Sequence, residues 1–121
     1  IPIVSSARAA EIICKKWWRN YNYLPDGFVV EGPKAGGHIG FKTPQIDDPA
    51  YSLECITVEV INAVKAFERQ YGASIPVIAA GGIFSGADIA KFLSLGAAGV
   101  QLGTRFVATE ECDASQEFKD A

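Results

Sequence analysis

The sequence predicts an α/β fold in which buried parallel strands alternate with helices. Three observations carry this. Short apolar runs, Ile1–Val4, Phe28–Glu31, Ile75–Ala80 and Gly99–Gly103, have the length and Gly/Pro/Ser boundaries of buried strands rather than helices. Helical apolar spacing fills the segments between them. Small and polar residues collect just after each run: Ser5-Ser6, Gly32–Gly40, Gly81-Gly82 and Gly103-Thr104. Right-handed β-α-β crossovers put all four strand carboxyl ends on one side, the side on which such folds bind ligands.

Taken in order, Ile1–Val4 reads as the first strand, and Ser5 or Ser6 as the N-cap of the helix after it. In that helix Ala10, Ile13, Cys14 and Trp17 recur at i, i+3, i+4, i+7 and form the apolar face, while Arg8, Glu11, Lys15 and Arg19 face solvent. Trp17 and Trp18 read as packing residues. Phe28–Glu31 is the second strand. From Gly32 to about Ser52 the chain reads as one long loop, with Asp47-Asp48 as turn and surface residues rather than metal ligands. Leu53, Ile56, Val60, Val64, Phe67 and Tyr71 lie on one helical stripe that Gly72 ends. After the third strand and Gly81-Gly82, Ser85 and Asp88 resemble a capping pair for a short helix whose apolar face is Ile89, Phe92 and Leu93. Gly99–Gly103 is the fourth strand.

The composition limits the partners. With 121 residues, 49% apolar and 21% charged, the chain holds at most one domain. A net charge of −3 provides no basic patch for nucleic acid, and no apolar run approaches the ~20 residues of a membrane helix. Three widely spaced cysteines without C-x-x-C spacing read as reduced thiols of a cytoplasmic protein. The chain lacks methionine and opens inside a strand pattern, so it is expected to be a piece of a longer protein.

The chemistry gathers at the strand ends. Gly81-Gly82, ahead of a capped helix, and Gly103-Thr104 can offer backbone N–H groups and a hydroxyl to a phosphate; tight turning is the alternative use of these glycines. His38, the only histidine, stands in Ala35-Gly36-Gly37-His38 and suits general acid or base work near neutral pH. Glu31 serves equally well as a ligand-orienting group or a solvated strand-end carboxylate. Arg105 suits a phosphate or a salt bridge equally.

Three motifs resemble one family. Glu31–Gly40 (EGPKAGGHIG), Pro76–Ile83 (PVIAAGGI) and Gly99–Phe106 (GVQLGTRF), with Ile1–Ser6 before them, look like nitronate monooxygenases, formerly 2-nitropropane dioxygenases, and the closely similar FMN-dependent enoyl-acyl-carrier-protein reductases. The resemblance implies that residues 1–121 are a single partial domain, strands five to eight of an FMN-binding (β/α)8 TIM barrel. It implies that His38 is catalytic and that Glu31, Gly36, Gly37, Gly81, Gly82, Gln101, Leu102, Gly103 and Thr104 contact FMN. Glu31 matches a position often Gln in the monooxygenases and Glu in the reductases. Lys34 departs from a frequent Glu, and Phe41–Ser52 is longer than expected. The implied substrate is a nitronate or nitroalkane oxidised with oxygen, or an enoyl thioester with NAD(P)H as second partner. A homo-oligomer is compatible with this, and the piece alone is expected to be inactive. A phosphate-binding lyase or isomerase barrel would share the glycine turns but has no need of Ala-Gly-Gly-His.

Overall fold

Val4, Phe28, Val30, Val77 and Ala79 alternate along their strands with residues that point the other way, and all five belong to one buried cluster. The computed structural model describes residues 1–36 and 40–120. Strands β1 (Ile3–Val4), β2 (Phe28–Glu31), β3 (Val77–Ala80) and β4 (Gly99–Gln101) form a parallel sheet in the order β1-β2-β3-β4. The register aligns Val4, Val30, Ala79 and Val100 in one row, and Ile3, Val29, Ile78 and Gly99 in the row on the opposite face. The α/β class and the strand–helix alternation are as the sequence predicts.

The first row faces helices. Helix α1 (Ala7–Tyr21) starts at Ser6, whose side chain accepts from the Ala9 N–H, and contributes Ala10 and Cys14 to the cluster. Burial pushes the Cys14 thiol up to about 11, so it remains protonated near neutrality. Trp18, not Trp17, packs against the core; its ring lies 4.0 Å from that of Tyr71. Ala10, Cys14 and Trp18 are successive i, i+4 positions, so the buried stripe sits slightly round the helix from the expected one.

Helix α3 (Leu53–Tyr71) buries Leu53, Ile56, Val60, Val64 and Phe67 as expected, and also Thr57 and Ile61. Each large aliphatic or aromatic side chain so buried contributes about 1.5–3 kcal/mol. Helix α4 (Gly86–Ser94) buries Phe92 and half-buries Ile89, but Leu93 is 48% exposed. Since α1, α3 and α4 share one cluster with a single set of strand faces, these helices cover one side of the sheet. On the other side Ile3 is 59% exposed.

The stretch after β2 is not one long loop. Helix α2 (Thr43–Ile46) and a 3-10 turn (Pro49–Tyr51) interrupt it. In each, a proline stands near the start, where its fixed φ suits the first helical turn. The Asp48 carboxylate accepts from the Ala50 N–H and caps the second turn. β4 stops at Gln101, two residues earlier than expected, because Gly103 begins the short helix α5 (Thr104–Val107). A last turn, α6 (Gln116–Lys119), ends the described chain. No described helix is long and apolar enough to cross a membrane.

Candidate functional site

The turn after β3 depends on its two glycines. Gly81 has φ +99° and Gly82 φ +71°, conformations that L side chains rarely adopt. A Cβ on Gly81 would lie 2.8 Å from the Ala35 nitrogen and 2.9 Å from its Cα, and one on Gly82 would lie 3.0 Å from Lys34 Cδ. The β2 loop therefore rests directly on the β3 turn. Gly36 and Gly103 differ: among the described residues, chain neighbours aside, a Cβ at either would meet no atom within 4 Å. Of the four glycines, two are required by the fold and two border open space.

These turns enclose a cleft of about 210 Å³ at the carboxyl ends of β2, β3 and β4. Glu31, Gly36, Gly81, Gly82, Gln101, Leu102, Gly103 and Thr104 all line it. Every described residue expected at the cofactor is thus brought to one place. Lys34 and Phe84 also line the cleft and were not singled out as site residues, although both stand inside or beside the glycine motifs. Phe84 is an exposed aromatic one residue past Gly81-Gly82-Ile83, which is the signal that could have marked it. A second cavity of about 440 Å³ adjoins the first and shares Glu31 and Gly36 with it. Ser5, Gly40 and Phe41 line this second space. The strand ends thus frame two adjoining cavities rather than a single pocket.

The start of helix α4 is partly closed by its own cap. The Asp88 carboxylate accepts from the N–H groups of Phe84 (3.2 Å) and Ser85 (2.9 Å) and from the Ser85 hydroxyl (2.8 Å). Those donors hold its pKa below the usual carboxylate value and are already engaged. The Phe84 and Ser85 N–H groups are thus taken, while the backbone around Gly82 and Gly103-Thr104 lines the cleft. Arg105 is exposed and does not line the cleft. His38 and Gly37 lie outside the described residues. Among the described residues no cluster of three or more His, Cys, Asp or Glu side chains is arranged to hold a metal ion.

A nitronate monooxygenase profile matches residues 1–121. Among curated proteins, the chain is 37% identical over 97 residues to a probable nitronate monooxygenase of Staphylococcus aureus strain JH9, a stretch covering 79% of this chain and 25% of that protein. Strain Newman has a match with the same values. Among solved structures it is similar to FabK from Thermotoga maritima, with 32% identity, a TM-score of 0.71 and coverage of 98% of this chain and 30% of that one. It is also similar to a nitroalkane oxidase from Streptomyces ansochromogenes, with 31% identity, a TM-score of 0.70 and coverage of 98% and 30%. The chain therefore spans well under half the length of these relatives. With the profile covering all 121 residues and four strand-end motifs in the expected order, the chain belongs to the nitronate monooxygenase family.

Proposed function

We propose that this chain is the second half, strands five to eight, of a (β/α)8 barrel, and that the complete protein is an FMN-dependent nitronate monooxygenase. The family's enzymes are oxidoreductases. The observation that carries the cofactor reading is the single cleft lined by Glu31, Gly36, Gly81, Gly82, Gln101, Leu102, Gly103 and Thr104. The half-barrel reading is supported by the sequential strand order and by helices α1, α3 and α4 on one face. A doubly wound sheet would carry helices on both faces. The segment alone is proposed to be inactive and to self-associate through its open sheet face and unpaired edges.

The residues fit a flavin phosphate. Among the described residues, Gly36 and Gly103 border space that a Cβ would fill, and Gly103 and Thr104, which carry backbone N–H groups and a hydroxyl, line the cleft. FMN, when bound, supplies the redox chemistry, and the protein supplies binding, orientation and proton transfer. The backbone at Gly82 and Gly103-Thr104 would hold the phosphate, while Glu31, Gln101 and Leu102 would border the rest of the cofactor. His38 stands in sequence between Gly36 and Gly40. It would take the proton from the carbon bearing the nitro group, or orient a nitronate already formed.

One observation favours a second reading. Glu31 borders both cavities, and in the resemblance noted above Glu at this position accompanies the enoyl-acyl-carrier-protein reductases. There His38 would deliver a proton to the enoyl thioester while NAD(P)H serves as reductant. The test uses the complete protein. It is expected to be yellow, to release FMN on denaturation, and to consume oxygen with a nitronate while leaving NAD(P)H untouched by an enoyl thioester. The opposite substrate pattern assigns the reductase. A colourless protein that takes up no added FMN overturns both. His38→Ala is expected to keep flavin and lose turnover; loss of flavin instead makes the histidine structural.

A further inference from the structure

Lys34 lines two neighbouring cavities, one balanced in charge and one acidic. Its side chain runs along Gly82, with Cδ 3.0 Å and Cβ 3.1 Å from the point where a Gly82 Cβ would sit. On one side is the cleft of Gly82, Gly103 and Thr104, in which, among the described residues, Lys34 is the only positively charged lining residue and Glu31 the only negative one. On the other side is an outer cavity of about 330 Å³, lined by Asp47, Asp48, Glu54 and Asp88 as well as Lys34.

The cations nearby are unevenly committed. Lys91 donates to Glu54 at 2.5 Å. Glu54 is held below its usual carboxylate value chiefly by that hydrogen bond, with smaller contributions that include the charge of Lys34. Arg105 does not line the cleft. A phosphate monoester carries about −1.5 to −2 charges at neutral pH. Placed against Gly82, which borders both cavities, it would stand near the outer carboxylates, with Lys34 the sole cation among the described residues that line its own side.

We infer that Lys34 is the counter-ion of the bound phosphate and the residue that makes this cleft prefer a phosphorylated flavin to an unphosphorylated one. This rests on the flavin reading above. The test compares FMN with riboflavin, which lacks the phosphate, on the complete protein stripped of flavin, by quenching of flavin fluorescence at low and high salt. Lys34→Gln is expected to weaken FMN about fivefold at low salt, the scale of a partly exposed charge pair, with less effect at high salt and no change for riboflavin. Lys34→Glu weakens FMN further, and Lys34→Arg restores it. An equal loss for both flavins makes Lys34 merely a wall and overturns the inference, as does an unchanged FMN affinity. If the unsubstituted protein binds neither flavin, the flavin reading itself fails, and this inference with it.

Discussion

The four cleft glycines should separate into two groups when each is replaced by alanine. At Gly81 a methyl group meets two obstacles. Its φ of +99° is a left-handed conformation that costs an L residue about 1–2 kcal/mol or more. Its Cβ would also lie 2.8–2.9 Å from Ala35 backbone atoms, so the β2 loop must shift, which as overpacking costs about 1–3 kcal/mol. Together Gly81→Ala should lose about 2–5 kcal/mol. Gly103→Ala and Gly36→Ala face neither obstacle, because neither glycine has a left-handed φ and a Cβ at either meets nothing within 4 Å among the described residues. Their stability should stay within about 0.5 kcal/mol of the parent. A methyl group in the ligand's space should nevertheless weaken FMN by about tenfold or more. Urea unfolding of the complete protein reads the first effect and flavin titration the second. A Gly81→Ala protein as stable as its parent would refute the close contact between the two loops. A destabilised Gly103→Ala would show that this position is needed for the fold rather than for the ligand.

Two further substitutions test the packing and the caps. Thr57 is fully buried, and its hydroxyl has no hydrogen-bond partner among the described residues. Thr57→Val should therefore raise stability by about 1 kcal/mol in the same urea experiment, and a loss of similar size would mean the hydroxyl is satisfied. Asp88 has a folded pKa lowered from 3.8 by its bonds from Ser85 and Phe84, so its contribution is present above that value and lost as pH falls through the folded one. Lys91 has a pKa raised from 10.5 by Glu54, so its contribution is present below that value and lost as pH rises through the folded one. Melting temperature against pH should show both limbs; Asp88→Asn should flatten the acid limb alone, and a parallel profile would disprove the cap's role.

Much of this fold could be read from residue spacing. Phe28–Glu31 and Leu53–Tyr71 begin and end where their patterns do, because each is closed by strong local signals: the glycine after Glu31, the Ser52 cap and the left-handed Gly72. The misplaced details depend on neighbours distant in sequence. Trp18 rather than Trp17 is packed because Tyr71, on another helix, offers it a ring. Leu93 is exposed because α4 reaches the core through Phe92. The short turns at Pro44 and Pro49 did have a local signal, a proline near a helix start and, at the second, Asp48 before it, obscured by the polarity of the stretch. At the site, the strand-end residues were legible from the alternation itself. The engagement at the α4 start was not: Ser85 and Asp88 were visible as a capping pair, but that Asp88 also takes the Phe84 N–H, one residue outside the pair, is a matter of three-dimensional geometry.

The contact between Ala35 and Gly81 also bears on how such a site can be altered. Loops at strand ends are the parts most readily exchanged between related enzymes. Here the segment after β2 and the turn after β3 are fitted to each other at backbone distance. A loop transplanted after β2 with a larger side chain at position 35, or with a different path over Gly81, would displace the turn beneath it. The two must be transferred as a pair, and because Ile46 and Pro49 line the same outer cavity as Lys34, Gly81 and Gly82, changes in the Phe41–Ser52 stretch act beside that joint as well.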